Sequence, residues 1–186
     1  MVEFQRREHY DINDLRRIME ILRSPEGCPW DMEQTHKSIR NDFIEEVYEA
    51  IEAIDLDDTE LMREELGDVL LQVVFHCRIE EENKNFCFDD IYDELCKKLI
   101  VRHPHVFGDV TVSGTGEVLK NWDAIKKQTK GQESYTETLT AVSKSLPALM
   151  RAQKVGKRAM RAGMDFRKVN EAFECVKSEA AELEDA

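Results

Sequence analysis

The sequence predicts an all-α protein. Glycine occurs eight times and proline four times among 186 residues, so helix-breaking positions are few. Apolar residues recur at three- and four-residue spacing, and no segment keeps a two-residue alternation for long. Hydrophobic residues make up 41% of the chain and charged residues 35%, a balance typical of a folded helical protein rather than a disordered one.

Charge and composition narrow the class of partner. The net charge of −13 argues against a general surface for nucleic acid or anionic membranes. The five cysteines are odd in number and form no C-x-x-C, which indicates reduced thiols. The N-terminus has no apolar signal region, and no apolar run approaches the length of a membrane span. We therefore expect a cytoplasmic protein with neither a membrane nor a nucleic-acid partner.

The predicted helices of the N-terminal half follow from breaks and caps. A first helix covers residues 12–23 and is ended by "SPEGCPWD", which holds two prolines and a glycine. Asp31 with Gln34 has the spacing of a capping box and opens a second helix that ends near Asp55.

Breaks and caps also predict the helices between residues 56 and 102. The stretch "LDDT" separates the second helix from a third, which Asp57 and Glu60 cap and which extends to about Glu82. The turn "NKNFCFDD" follows, and Asp89 caps a fourth helix that ends near Arg102.

The remaining chain predicts a loop, a linker and three helices. "HPHVFGDVTVSGTG" indicates a loop, residues 117–130 a helix, and the polar stretch "GQESYTETLT" a linker. "SLPALMRAQKVGKRAM" opens a further helix, "RAGMD" breaks it, and a last helix begins near Lys168.

Acidic side chains on the second and third helices form a pattern. Glu46 and Glu49, three residues apart, lie on the flank of the apolar stripe of the second helix. The stretch "LGDVLLQVVFHC" of the third helix is apolar nearly all round, apart from Gly67 and a line of polar residues that Glu65 extends by one turn upstream. We call this line the polar seam. The polar seam consists of Glu65, Asp68, Gln72 and His76.

The simplest interpretation of the polar seam is the solvated face of an amphipathic helix. It carries no Lys or Arg, however, and each helix offers a carboxylate pair at i, i+3. A short connection makes the two helices antiparallel neighbours, so the pairs can face each other. Four hard oxygen donors at one point suit Mg²⁺, with Mn²⁺ as a substitute, and the cation relieves their repulsion. The predicted ligands are Glu46, Glu49, Glu65 and Asp68.

The motifs "EEVYE" and "EELGD" resemble the E-x-x-E and E-x-x-D signature of MazG-type nucleoside triphosphate pyrophosphohydrolases. The stretches "GCPWD", "RHPHVF" and "SLPALMRAQKVGKRA" resemble the same family, in the same order. The resemblance covers roughly residues 15–165. It implies an antiparallel bundle of four to five core helices with a C-terminal helical extension, which works as a dimer or higher oligomer.

The resemblance also implies the reaction and the roles of individual residues. A nucleoside triphosphate and water give the monophosphate and pyrophosphate, with Mg²⁺ required, and the physiological role is housekeeping of the nucleotide pool. The four carboxylates named above match the metal ligands of the family. Glu45 is a candidate to orient or deprotonate the attacking water, and a metal-bound hydroxide with Glu46 as proton acceptor serves equally well.

Four further positions match substrate-binding residues of the family. Lys98 and Arg102 match positions that hold phosphate, and Trp122 and Lys126 match a pair on the nucleotide side. Without the resemblance, Lys98 and Arg102 are ordinary solvated residues and Trp122 is as readily a core residue.

The resemblance divides the chain into three parts. Residues 1–130 form the MazG-like domain, residues 131–167 a linker and connecting helix, and residues 168–186 the start of a truncated second repeat. Glu179 and Glu182 in this last part form another E-x-x-E, with no second E-x-x-D after it.

Two rival classes remain. A di-iron carboxylate bundle needs two E-x-x-H motifs, and this chain has one, Glu33 to His36. A non-enzymatic acidic adaptor or regulatory module would use the helices as a partner surface, and its function would not depend on metal.

Overall fold

The computed structural model describes residues 4–129, 131 and 134–185, and it confirms the all-α class. This described part of the chain contains ten α-helices and no β-strand. Contacts divide the chain into two compact units, Met1–Lys98 and Leu99–Ala186. The first five helices are α1 Ile12–Leu22, α2 Pro29–Glu33, α3 Arg40–Asp55, α4 Thr59–Glu82 and α5 Phe88–Arg102. The next five are α6 Pro104–Phe107, α7 Thr115–Thr129, α8 Tyr135–Thr140, α9 Ala148–Arg161 and α10 Val169–Glu184. Among the described residues, no helix combines the length and apolar character needed to cross a membrane.

The core of the first unit forms where α1 and the entry to α3 pack on α4. Helix α1 begins with a capping box, in which Asp11 accepts hydrogen bonds from the backbone of Asn13 and Asp14, and Asp14 accepts one in return. Its Met19 is 1% exposed. The buried apolar cluster consists of Met19, Ile39, Val74, Phe75 and Ile79.

The capping box predicted at Asp31 and Gln34 is wrong. Asp31 lies inside the short helix α2, and the chain leaves helical geometry before α3 begins at Arg40. In the break, the Thr35 backbone N–H donates to Ser38 Oγ at 2.9 Å, and the Ser38 N–H donates to Thr35 Oγ1 at 3.2 Å. These local bonds satisfy backbone groups outside a helix, because Ser and Thr side chains compete with the helical ladder.

Helices α3 and α4 form the most extensive helix pair of the first unit. The residue that caps α4 is Asp58, whose side chain accepts hydrogen bonds from Glu60 and Leu61, whereas the predicted cap Asp57 has a φ of 53°. The short connection turns α4 back antiparallel to α3. Ala50 and Ala53 of α3 are 6% and 0% exposed, so small side chains lie at the contact and allow a close approach.

The apolar stripe predicted for α3 is only partly covered. Ala50 is buried, but Val47, Ile51 and Ile54 keep 39%, 43% and 54% of their surface exposed. Within the first unit, α4 packs against one side of α3. The apolar stripe is wider than the contact surface of one helix, so part of it stays exposed.

Arg23 ties the end of α1 to α4 and to the α2 segment. Its side chain is 6% exposed, and its Nη2 lies 2.8 Å from Glu82 Oε2. Its Nη1 donates to the carbonyl oxygens of Asp31 at 2.6 Å and Gln34 at 3.1 Å. The guanidinium carbon lies 5.3 Å from the centre of the Phe75 ring. One buried cation therefore joins three elements.

The second unit contains the helices of the C-terminal half of the chain. The segment 103–116, predicted as a loop, contains the short helix α6. The segment 131–140, predicted as a linker, contains α8. Residues 132 and 133 of that segment lie outside the described residues. A capping box between Ser134 and Glu137 starts α8, which explains the departure from the linker prediction. Arg158 of α9 donates to the carbonyl oxygen of Thr138.

The Arg23 contacts predict a large loss of stability on substitution. Arg23→Met leaves Glu82 and two carbonyl oxygens without their buried donor, so we expect the free energy of unfolding to fall by roughly 2–4 kcal/mol. Arg17→Met is the matched control, because the pair that Arg17 forms with Glu20 is exposed, and it should change stability by about 0.5 kcal/mol or less. Urea unfolding of both variants measures the difference, and equal losses would contradict the role given to Arg23.

Candidate metal centre

Three of the four predicted metal ligands meet between α3 and α4. Glu46, Glu49 and Glu65 each offer one carboxylate oxygen, and these three oxygens lie within 4.8 Å of one another. Glu46 and Glu65 are half-buried and Glu49 is exposed, so the cluster opens to solvent on one side. We call these three residues the carboxylate cluster.

The local fold explains why these side chains meet. Glu46 and Glu49 are three residues apart on α3, and a helix places such residues on one face. Glu65 lies in the second turn of α4, whose antiparallel course brings it beside the same part of α3. The buried alanines Ala50 and Ala53 allow the two backbones to approach closely enough for carboxylates from both helices to gather.

Burial and like charge both disfavour ionisation in the cluster. Desolvation is the largest cause that raises the pKa of Glu46 above 4.5, followed by the charges of Asp68 and Glu49. Desolvation also comes first in raising the pKa of Glu65, followed by Glu49 and Asp68. Asp68, the fourth predicted ligand, is outside the group of three oxygens but acts electrostatically on both of these carboxylates.

Within the part of the chain that the structure describes, no Lys, Arg or His forms an ion pair with these four carboxylates. The ion pairs of α4 lie further along the helix, where Arg16, Arg23 and Arg78 contact Glu81 and Glu82. Hard oxygen donors without a protein cation are the donor set that Mg²⁺ and Mn²⁺ bind, and the open side leaves room for the waters that Mg²⁺ retains. The residues present therefore fit a divalent cation.

Glu45 and the predicted substrate residues lie outside the carboxylate cluster. Glu45 is exposed on α3, next to Glu46, and its charge contributes to the raised pKa of that neighbour. Lys98 is exposed on α5, the last residue of the first unit.

The other predicted substrate residues belong to the second unit, where two of them are in contact. The guanidinium carbon of Arg102 lies 5.4 Å from the centre of the Trp122 ring, and the His103 ring packs edge-on against Trp122 at 4.9 Å. Lys126 lies one helical turn beyond Trp122 on α7 and is half-buried.

The C-terminal part of the polar seam makes contacts that the sequence did not predict. Gln72 is 7% exposed, and its Oε1 atom is buried without a hydrogen-bond partner. His76 contacts His36, and His36 in turn contacts Glu80. The periodicity offered one signal, because Glu80 continues the seam four residues after His76, but nothing in the spacing indicated His36.

Fold and site together define an all-α protein with carboxylates gathered on two adjacent helices. Residues 34–107, which contain the whole carboxylate cluster, match the MazG nucleotide pyrophosphohydrolase domain. The chain belongs to the MazG family.

Relatives of known name support this assignment. The chain is 44% identical over 173 residues to the nucleoside triphosphate pyrophosphohydrolase/pyrophosphatase MazG of Thermotoga maritima, an alignment that covers 93% of this chain and 66% of that relative. It is 42% identical over 173 residues to the nucleoside triphosphate pyrophosphohydrolase of Escherichia coli K12, with 92% and 66% covered. The chain thus spans about 66% of the length of both relatives.

A solved structure shares the fold. The crystal structure of a mazG-related protein from Thermotoga maritima superposes with a TM-score of 0.53 and 23% identity, covering 62% of this chain and 99% of that one.

The raised pKa values predict how stability depends on charge in the metal-free protein. Glu46→Gln removes one of the repelling carboxylates, so its Tm at neutral pH should exceed that of the unsubstituted protein by a few degrees. A raised folded-state pKa means that ionisation costs stability. The difference in Tm between the two proteins should therefore be absent below pH 4.5. It should grow as the pH rises from 4.5 through the raised pKa of Glu46, and it should be constant at its largest value above that pKa.

Glu52→Gln is the control, because Glu52 is exposed on the same helix and is not among the residues that raise the pKa of Glu46. Calorimetry in the presence of a chelator compares the variants. A Tm gap that is independent of pH, or equal for both substitutions, would contradict the charge repulsion.

Proposed function

We propose that this chain hydrolyses nucleoside triphosphates, including deoxynucleotides, to the monophosphate and pyrophosphate in an Mg²⁺-dependent reaction. The observation that carries the proposal is the carboxylate cluster, with three oxygens within 4.8 Å on α3 and α4, inside the segment that matches the family. The names of the two relatives agree with it. We further propose a cytoplasmic role in housekeeping of the nucleotide pool, with Mn²⁺ as an alternative ion.

The carboxylates supply what a triphosphate site in an acidic protein lacks. Glu46, Glu49, Glu65 and Asp68 would hold the cation, which when bound neutralises the triphosphate and stabilises charge on the leaving pyrophosphate. The protein would otherwise repel the substrate, because its net charge is −13.

The proton of the attacking water needs an acceptor. Glu45 or Glu46 takes this proton as the water oxygen forms its bond to phosphorus, and the bridging oxygen between the α and β phosphates leaves with pyrophosphate. Glu45 is exposed beside Glu46 and can position the water.

Cationic and aromatic side chains complete the proposed substrate contacts. Lys98 and Arg102, four residues apart on α5, would bind phosphate oxygens, and Arg102 offers the bidentate geometry that suits them. Trp122 and Lys126, four residues apart on α7, would contact the nucleoside side. The packing of the Arg102 guanidinium on the Trp122 ring supports their action as a pair.

We also propose that the chain works as a homodimer or higher oligomer. Val47, Ile51 and Ile54 on α3 leave apolar area that a second copy would bury. In this proposal residues 1–130 form the catalytic domain, residues 131–167 connect it onward, and residues 168–186 begin a second repeat that takes no part in the reaction.

Product analysis tests the activity. The purified chain, given a panel of NTPs and dNTPs with and without Mg²⁺, should release monophosphate and pyrophosphate only when Mg²⁺ is present. Release of diphosphate and orthophosphate would rule out the assignment.

Glu49→Gln and Asp68→Asn should each lower kcat/KM by about 100-fold or more, because each removes a charged ligand.

Glu52→Gln, which alters an exposed carboxylate on the same helix, should retain full activity. The Tm of each variant, measured in parallel, separates loss of a ligand from loss of fold. Full activity in Glu49→Gln or Asp68→Asn would show that the carboxylate concerned does not bind the cation.

A further inference from the structure

A second polar array lies between α4 and the segment that leads into α3. His36 Nδ1 is 2.7 Å from His76 Nδ1, and His36 Nε2 is 2.5 Å from Glu80 Oε1. Asn85 Nδ2 donates to the other Glu80 oxygen at 2.6 Å. The array therefore joins a loop residue to two positions, one turn apart, on α4.

The two imidazoles point their Nδ1 atoms at each other. Their ring centres are 5.0 Å apart and their planes differ by 13°. The distance between the ring centres nearly equals the sum of the N···N distance and the radii of the two rings. Both Nδ1 atoms must therefore lie close to the line that joins the ring centres. This is the geometry of a single N–H···N hydrogen bond, because a cation bound by both nitrogens would need them farther apart or at an angle.

The number of protons on the pair decides whether this bond exists. Glu80 accepts from His36 Nε2, so the Nδ1 atoms must share one proton between them. The neutral pair and the singly protonated pair both satisfy this requirement. In the doubly protonated pair each Nδ1 carries its own hydrogen, and the two N–H groups face each other at a distance that only a hydrogen bond permits.

The charges around the array favour a single proton shared between the Nδ1 atoms of His36 and His76. Glu80 remains ionised, because hydrogen bonds from Asn85 and then His36 lower its pKa. Desolvation first and the His36 charge second lower the pKa of His76 below 6.5. Helix α3 contributes the Phe43 ring, whose centre is 5.5 Å from that of His76.

The ionised groups of α1 engage other carboxylates of α4. Arg16 pairs with Glu81, and Arg23 pairs with Glu82, so neither arginine takes Glu80 from the histidines. Arg78 on α4 itself also pairs with Glu81 and Glu82.

The array sits where it can control the carboxylate cluster. His36 belongs to the non-helical stretch between α2 and α3, and buried Ile39 ends that stretch directly before α3. Glu46 and Glu49 follow within three turns, and their spacing to Glu65 depends on how α3 lies on α4. The repulsion within the cluster pushes the two helices apart, so a tie at the start of α3 opposes it.

We propose that His36 and His76 are positioning residues: by sharing one proton they hold the start of α3 on α4 and keep the carboxylate cluster at metal-binding spacing, and the hold is lost when both imidazoles are protonated. The proposal rests on the proposed metal-dependent function. The hold is intact above pH 6.5, the ordinary value for His76, and weakens as the pH falls below it, because the unfolded chain then takes up a proton that the folded pair resists.

Mn²⁺ binding to the full chain, without nucleotide, tests the proposal. His76→Ala removes the partner of His36 and should weaken Mn²⁺ binding on the order of tenfold at about pH 8, as expected for a residue that orients metal ligands. His76→Asn places an amide where Nδ1 lay, so it can bond to His36 without titrating, and it should bind Mn²⁺ like the unsubstituted protein at about pH 8 and several-fold more tightly at about pH 5.5.

His9→Asn is the control, since His9 is exposed and lies before α1, and it should follow the unsubstituted protein at both pH values. Equal pH dependence in His76→Asn and the unsubstituted protein would overturn the proposal, and so would full Mn²⁺ affinity in His76→Ala. A chain that binds Mn²⁺ with the expected pH dependence but hydrolyses no NTP would overturn the proposed function alone.

Nitrogen-15 NMR of the imidazoles provides a readout that needs neither metal nor activity. The pair should take up its two protons in separate steps, because the second proton breaks the shared hydrogen bond, and the desolvated His76 should take up its proton below pH 6.5. Independent titration of both rings near 6.5 would show that they share no proton and would overturn the proposal.

Discussion

The close packing of α3 on α4 is the constraint on which the site depends. Ala50 and Ala53 are buried at the contact, and their small side chains allow the helices to approach. The same approach forces Glu46, Glu49 and Glu65 together, with oxygens within 4.8 Å and raised pKa values at Glu46 and Glu65. The helix pair therefore stores a repulsion that a divalent cation would relieve, which links the stability of this unit to the proposed chemistry.

Contacts on the far side of the carboxylate cluster oppose this repulsion. Arg23 joins α1 and the α2 segment to the end of α4, and His36 joins the start of α3 to the middle of α4. These contacts are partly buried hydrogen bonds, which hold the helices in one geometry. The repulsion between the carboxylates of the cluster has no preferred direction.

Much of this arrangement was predictable from sequence, for physical reasons. The i, i+3 carboxylate pairs and the short connection between the helices predicted the meeting of α3 with α4, because helical periodicity and antiparallel packing are local rules. The break at 34–39 was not predicted, since Thr35 and Ser38 satisfy the backbone there in competition with a helix. Nor was the His36–His76 contact, because a pairing across 40 residues leaves no periodic trace.

The position of a bound cation shows whether the carboxylate cluster is a metal centre. Crystals of the chain grown with Mn²⁺ and a non-hydrolysable nucleotide, measured at the manganese absorption edge, give an anomalous map that shows each bound ion. We expect a peak between α3 and α4, within coordination distance of carboxylate oxygens of Glu46, Glu49 and Glu65. An ordered carboxylate cluster with no anomalous peak, while Mn²⁺ occupies another part of the chain, would contradict this expectation.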